Sequence, residues 1–158
     1  MKATVQWKDK LAFEGTADVT GFPVQMDSIS AAAGGDGASP MELIALGLAG
    51  CTAMDVISIL QKKQQKVTSF EVNVDASRAP EPPKVYTSAL LTYIVTGSDV
   101  EENALLRAIE LSVTRYCPVH TMLSQAFPID VRYEIYEEEA NGEKRLTYQG
   151  AWQELPQE

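Results

Sequence analysis

The stretch that decides the fold of this protein is "SPMELIALGLAGCTAMDVISILQKK", residues 39–63. Ser39 can cap a helix, and Pro40 suits the first helical turn. Glu42 follows Ser39 at the spacing of a capping box, in which each residue bonds the backbone of the other. The stretch therefore predicts a helix that begins at Pro40 and ends at about Lys62 or Lys63.

This helix is apolar nearly all round until Asp55, so most of its sides must be covered. Gly47 and Gly50 each cost up to about 1 kcal/mol relative to alanine inside a helix, and close approach of another backbone would compensate. A domain of this size has difficulty surrounding a whole helix alone. We therefore expect a second subunit to cover part of it.

The composition excludes several classes of protein. The chain has 158 residues, 45% of them hydrophobic, which is typical of one soluble domain. Its net charge of -9 opposes binding to nucleic-acid phosphates or anionic membranes. The start "MKATVQWKDK" lacks a signal-peptide core, and the apolar run 43–54 is shorter than a membrane span. With two cysteines and one histidine, a zinc site is not expected. The sequence predicts a cytoplasmic protein with reduced thiols, no metal, and no nucleic-acid or membrane partner.

The remaining pattern predicts an α+β fold. Alternating apolar residues predict three short strands in an antiparallel meander before the long helix. The small residues and glycines of the segment "AAAGGDGASP" predict a flexible loop. A phosphate-binding loop is not expected, because such a loop would need a Lys-Ser/Thr pair after its last glycine. Beyond the long helix we expect strands at 70–76 and 84–97, and then a helix that is capped by Ser98 or Asp99 and is broken by Pro118. A short helix at 118–127 and a strand at 128–138 should follow. The chain should then make a hairpin turn at "ANGE" with a weak return strand. The predicted domain is 1–136, and 137–158 form an acidic C-terminal extension, as a short hairpin or disordered.

Two cysteines are the candidates for chemistry. Cys117 lies immediately before Pro118 at a junction of two predicted helices, where a helix N-terminus favours the thiolate, and His120 lies near it. Cys51 shares a helix face with Asp55, which would raise the pKa of a nearby thiol. The alternative is that Cys51 is an inert core residue, that Cys117 is a helix-junction residue and that His120 is on the surface. Arg115 could polarise a thiol or pair with a carboxylate.

The two cysteines and their flanks resemble a known family. The stretch "SPMELIALGLAGCTAMDV", followed by "YCPVHTML" with Cys117 placed 66 residues after Cys51, resembles the OsmC/Ohr family over residues 1 to about 136. The resemblance implies an intertwined homodimer whose central helices pack between antiparallel sheets. It implies that Cys51 attacks an organic hydroperoxide and that Cys117 resolves the sulfenic acid as a disulfide, which a dithiol reductant reopens. No cofactor or metal is needed in this cycle of oxidative or osmotic stress defence.

The sequence departs from the family's peroxidase pattern at two supporting positions. Peroxidase members use an arginine from the N-terminal region, and here no arginine precedes Arg78. Their partner glutamate corresponds to Met41, and Glu42 lies about 100° further round the helix. The chain resembles the OsmC-like branch that lacks this arginine. The candidate supporting residues are Glu42, Asp55, Arg115 and His120, and the arginines that could act from a partner chain are Arg78, Arg107 and Arg115. The alternative function is a non-enzymatic dimer that binds small apolar ligands or senses redox state at the interfacial cleft.

Overall fold

The computed structural model describes residues 1–28, 37–139 and 142–153, so most of the predicted loop at 31–40 and the first half of "ANGE" lie outside the described residues. The chain divides into two compact units, Met1–Leu46 and Gly47–Glu158. The unit boundary falls inside the long helix, α1, which runs from Pro40 to Lys62 as the sequence predicts.

The N-terminal unit contains the predicted three-stranded meander. The strands are β1 (Ala3–Asp9), β2 (Ala12–Ala17) and β3 (Val24–Met26), in the order β1-β2-β3 with antiparallel pairing throughout. Lys10 has a positive φ of 47° between the first two strands, where the chain reverses direction. Phe22 lies before β3 and is 76% exposed, so the third strand is shorter than its apolar pattern predicts.

The C-terminal unit is built on a four-stranded sheet. Its strands are β4 (Lys66–Arg78), β5 (Tyr86–Ser98), β6 (Ile129–Glu138) and β7 (Lys144–Trp152), in the order β4-β5-β6-β7. Alternate residues of β5 are buried, and helical residues of α1 and α2 join the same core. The fully buried members that centre this core are Val56, Leu60, Leu91, Tyr93, Val95, Leu105, Ala108 and Ile109.

One strand pair corrects the expectation of purely antiparallel sheets. Strands β5 and β6 run parallel, with Tyr93 opposite Tyr133, whereas the β4–β5 and β6–β7 pairs are antiparallel. The reason is the connection, since the chain between β5 and β6 carries helices and crosses back over the sheet before it re-enters it. The hairpin return strand β7 is nine residues long and pairs along β6, so it is longer than the weak strand predicted.

The helices of this crossover also differ from the prediction. Helix α2 spans Glu102–Leu111 and has Glu101 as its N-cap, so the predicted cap at Ser98 or Asp99 is wrong. Asp99 adopts a positive φ of 54° and its backbone N–H donates to the Glu137 carboxylate, which keeps the chain out of the helix for two more residues. The last turn before Cys117 is a π-helix, Ser112–Tyr116, and the short helix α3, Pro118–Leu123, ends earlier than the predicted 118–127.

Candidate functional site

Cys51 is positioned by a helix whose start is firmly capped. The Ser39 N–H donates to Glu42 Oε2 at 2.7 Å, and the Glu42 N–H donates to Ser39 Oγ at 3.3 Å. This reciprocal pair is the predicted capping box. The hydrogen bonds from Ser39 lower the pKa of Glu42, and they occupy its carboxylate in the cap. Cys51 follows on the same helix, half-buried and with a free thiol.

Cys117 is positioned by the π-helical turn. The Cys117 N–H donates to the Ser112 carbonyl oxygen at 2.9 Å, which is the five-residue bond that defines such a turn. Cys117 itself is extended (φ -78°, ψ 102°), as a residue before proline should be. Its Sγ accepts the His120 N–H at 3.3 Å, so the sulfur caps α3. The thiol is fully buried.

The two sulfur atoms, remote along the chain, meet in the C-terminal unit. Burial is the largest cause that raises the pKa of Cys117 to about 12, and a hydrogen bond with the Cys51 side chain raises it further. The N–H groups of His120 and Val119 act in the opposite direction but are outweighed. The expectation that the helix N-terminus makes Cys117 a thiolate is therefore wrong, because it ignored full burial beside a second sulfur. Cys117 is a protonated thiol at neutral pH.

A chain of buried hydroxyl groups lies beside the thiols. Thr52 Oγ1 is 2.5 Å from the Tyr93 hydroxyl and 2.8 Å from Ser112 Oγ, and Ser112 Oγ donates to Asp55 Oδ2 at 3.0 Å. Burial is the main cause that raises the pKa of Tyr93, and Cys117 and Asp55 act in the same direction. Each of these groups would be costly to bury without a partner. The chain therefore joins α1, β5 and the π-helical turn at the level of the cysteines.

The three hydroxyl residues of this chain, Thr52, Tyr93 and Ser112, were not among the sequence candidates. Thr52 is a fully buried polar residue in the apolar run of α1, Ser112 is a fully buried polar residue at the start of the π-helical turn, and Tyr93 is a fully buried tyrosine in β5. A buried hydroxyl needs a hydrogen-bond partner, so a threonine directly after Cys51 in an apolar helix was a usable signal. The identity of the partners was not available from sequence, because they come from three separate elements.

The structure separates the four supporting candidates. Asp55 accepts the Ser112 hydroxyl, and His120 bonds Cys117 through its backbone. Glu42 serves the helix cap. Arg115 is exposed, with its guanidinium carbon 5.6 Å from the centroid of the Tyr116 ring.

The other two arginines considered as substitutes also have partners. Arg107 forms an ion pair with Glu110 at 2.7 Å, and Arg78 Nε donates to the Lys84 carbonyl oxygen at 2.9 Å. In the described part of the chain, the groups that shift the pKa of Cys117 besides its burial are the Cys51 side chain and the N–H groups of His120 and Val119.

A cavity of about 480 Å³ lies behind α3, between the helices and the edge of the sheet. His120 and Asp130 are its ionisable lining residues, and Thr114, Thr121 and Ser124 supply hydroxyl groups. Across the described ranges, no group of three His, Cys, Asp or Glu side chains could hold a metal ion.

This arrangement defines a class: an α+β thiol protein with the OsmC-like fold. The sequence model of the OsmC-like protein family matches residues 33–132. Protein YhfA of Escherichia coli (strain K12) is 40% identical over 135 residues, which cover 85% of this chain and 98% of YhfA. This chain belongs to the OsmC-like family.

Solved structures have the same fold. A hypothetical protein from Aquifex aeolicus VF5 is 25% identical with a TM-score of 0.76, and the match covers 87% of this chain and 97% of that chain. An organic hydroperoxide resistance protein, OsmC, from Legionella pneumophila is 14% identical with a TM-score of 0.60, covering 85% of this chain and 94% of that chain. The second likeness concerns the fold alone.

Among the described residues, α1 is the one helix long and apolar enough, by length and composition, to cross a membrane. Only 22% of its most apolar window is buried within the chain. The central helix of a soluble protein passes the same test, and proteins of this family are generally soluble. By length and composition alone, one such helix is weak evidence of a membrane span.

Proposed function

We propose that this protein is a thiol-dependent peroxidase that reduces organic hydroperoxides through Cys51 and Cys117, in the cytoplasm, as a homodimer. The single observation that carries the proposal is the direct contact between two free thiols that differ in exposure. Cys51 is half-buried and accessible, and Cys117 is fully buried and protonated. That asymmetry suits an attacking thiol and a resolving thiol.

The cycle balances without a metal or organic cofactor. The Cys51 thiolate attacks the outer oxygen of ROOH, an S–O bond forms, the O–O bond breaks, and the alkoxide leaves as ROH with a proton. The Cys117 sulfur then attacks the Cys51 sulfenic acid, and the departing hydroxide leaves as water with the proton of the Cys117 thiol. A dithiol returns the disulfide to two thiols and is itself oxidised to a disulfide.

The homodimer is supported by the exposed apolar side chains of α1. Leu46 is 60% exposed and Met54 is 73% exposed, which is unusual for large apolar residues of a central helix. A second copy of the chain would cover them, as the resemblance to the family implies. The generally soluble character of the family supports the cytoplasm as the site of action.

The test is consumption of cumene hydroperoxide with dithiothreitol as reductant. We expect catalysis by the wild-type protein, none by Cys51→Ser, and a single turnover by Cys117→Ser that leaves a sulfenic acid trapped by dimedone. Thr114→Ala, which removes an exposed hydroxyl near Cys117, is the matched control and should keep wild-type activity. Equal consumption by wild type, by Cys51→Ser and by buffer would end the proposal for this substrate class.

A second function is favoured by one specific observation, the engagement of Arg78, Arg107 and Arg115 with other partners. Without a guanidinium to orient the peroxide, the same thiol pair would act as a non-enzymatic redox sensor or a binder of small apolar ligands. This function predicts disulfide formation with hydroperoxide that is stoichiometric and slow. Counting turnovers per protein in the assay above separates the two functions.

A further inference from the structure

Ser112 connects the elements that carry the two cysteines. Its side chain bonds Thr52 and Asp55, which lie on α1 one and four residues after Cys51. Its backbone carbonyl oxygen accepts the N–H of Cys117 at 2.9 Å. One fully buried residue thus holds the helix of Cys51 by its hydroxyl group and the backbone of Cys117 by its carbonyl group.

The hydrogen bonds of this chain have a defined direction. The Asp55 carboxylate can only accept, so the single Ser112 hydrogen is donated to it. Ser112 Oγ must then accept from Thr52, and Thr52 Oγ1 accepts from Tyr93. Asp55 therefore orders three hydroxyl groups across three elements. No buried side-chain nitrogen or oxygen in the described part of the chain lacks a partner, so this order is complete.

We propose that Ser112, oriented by Asp55, is a positioning residue that holds Cys51 and Cys117 at disulfide-forming distance. The inference rests on the two-cysteine cycle proposed above, and it concerns the resolving step. In that step the S–S bond forms as the S–O bond of the Cys51 sulfenic acid breaks, and water leaves. Disulfides require Cα atoms within about 7 Å and a narrow range of torsion, so small shifts of the π-helical turn against α1 slow this step.

The test measures bridging separately from peroxide chemistry. Reduced protein is equilibrated with glutathione buffers, in which the two thiols and oxidised glutathione give the protein disulfide and two reduced glutathione molecules. We expect Ser112→Ala to lower the effective concentration of the two thiols about ten- to a hundredfold, the loss typical of groups displaced by about 1 Å. Thr114→Ala removes a hydroxyl from the same turn, where it donates to the Glu110 carbonyl oxygen, and should leave the value unchanged.

A second pair of variants covers the case in which Ser112→Ala does not fold. Asp55 is only half-buried, and Asp55→Ala removes the acceptor that orients Ser112. It should lower the effective concentration at least fivefold, whereas Asp55→Asn, whose amide oxygen can accept the same bond, should restore most of it. With hydroperoxide, Ser112→Ala should slow disulfide formation while the rate of sulfenic acid formation stays unchanged.

The outcomes separate the two proposals. If the wild-type protein forms the Cys51–Cys117 disulfide in glutathione buffer but does not turn over hydroperoxide, the peroxidase function is contradicted. The positioning role still holds in that case if Ser112→Ala lowers the effective concentration of the two thiols. Values for Ser112→Ala and Asp55→Ala equal to that of Thr114→Ala overturn the positioning role whatever the activity. A wild-type protein that forms no Cys51–Cys117 disulfide at any glutathione ratio overturns it as well.

Discussion

At the scale of single residues, the decisive property of the site is the protonation of Cys117. A thiol at the N-terminus of α3 receives two backbone N–H groups that favour its thiolate, yet its pKa is raised to about 12. Full burial and the adjacent Cys51 sulfur determine the outcome. A buried, protonated sulfur is protected from alkylation and oxidation, which is why the proposed cycle begins at the more exposed Cys51.

This raised pKa has a consequence for stability at alkaline pH. The folded pKa of Cys117 lies above its usual value of 9.0, so the stabilisation is complete below pH 9.0 and is lost as pH rises towards 12. Between these limits the unfolded thiol releases a proton that the folded thiol keeps, which lowers the free energy of unfolding by up to about 1.4 kcal/mol per pH unit. In Cys117→Ala we expect the decline to be shallower by that amount.

Urea unfolding at several pH values from 8 to 11 measures this slope. Tyr93 and Tyr133 also have raised pKa values and are present in both proteins, so the difference between the two slopes reports Cys117 together with its effect on Tyr93. Identical slopes for wild type and Cys117→Ala would contradict the raised pKa.

At the scale of elements, the capping box sets where α1 begins. Ser39→Ala removes the hydroxyl group that accepts the Glu42 N–H. Such a change costs about 1 kcal/mol of stability. Ser39→Asp keeps a capping oxygen and is expected to remain within a few tenths of a kcal/mol of wild type. Equilibrium unfolding in urea gives both values. A Ser39→Ala protein as stable as Ser39→Asp would show that the cap contributes nothing.

The long elements are the part of the fold that the sequence predicts well. Ser39, Pro40 and Glu42 predict where helix α1 begins. Alternating apolar residues predict the strands of the main sheet. The parallel pairing of β5 with β6 was missed, because strand periodicity is the same in both directions of pairing. The π-helical turn was also missed, since its five residues carry no signal that distinguishes them from an α-helical turn.

The candidate site divides in the same way. The two cysteines were found from their flanking motifs, and Glu42 from helix capping. The hydroxyl chain of Thr52, Tyr93 and Ser112 depends on which side chains three elements bring together, and no local pattern encodes that. The pKa of Cys117 was misjudged for the same reason, since the burying neighbours belong to other parts of the chain.

At the scale of the whole molecule, two glycines of α1 test the proposed dimer. No atom of the chain lies within 4 Å of the position that a Cβ would occupy at Gly47 or Gly50. In a monomer, Gly50→Ala would therefore stabilise the helix by up to about 1 kcal/mol. If the helix of a second copy lies against these glycines, the added methyl group separates the helices and weakens association.

We expect Gly50→Ala to raise the dimer dissociation constant at least tenfold in sedimentation equilibrium. Gln61→Ala, at an exposed position of the same helix, serves as the control and should leave the constant unchanged. A wild-type protein that sediments as a monomer at micromolar concentrations would contradict the dimer. So would a Gly50→Ala protein that is more stable and associates as tightly as wild type.

The π-helical turn before Cys117 also affects the number of residues between the two cysteines. A π turn holds one residue more than the α-helical turn it replaces. The interval of 66 positions from Cys51 to Cys117 includes that extra residue. A relative with the same strand, helix and loop lengths, in which an ordinary turn leads into the Cys-Pro junction, should carry its cysteines one position closer together. Counting that interval is thus a way to recognise, without any coordinates, which relatives share the local geometry of this chain.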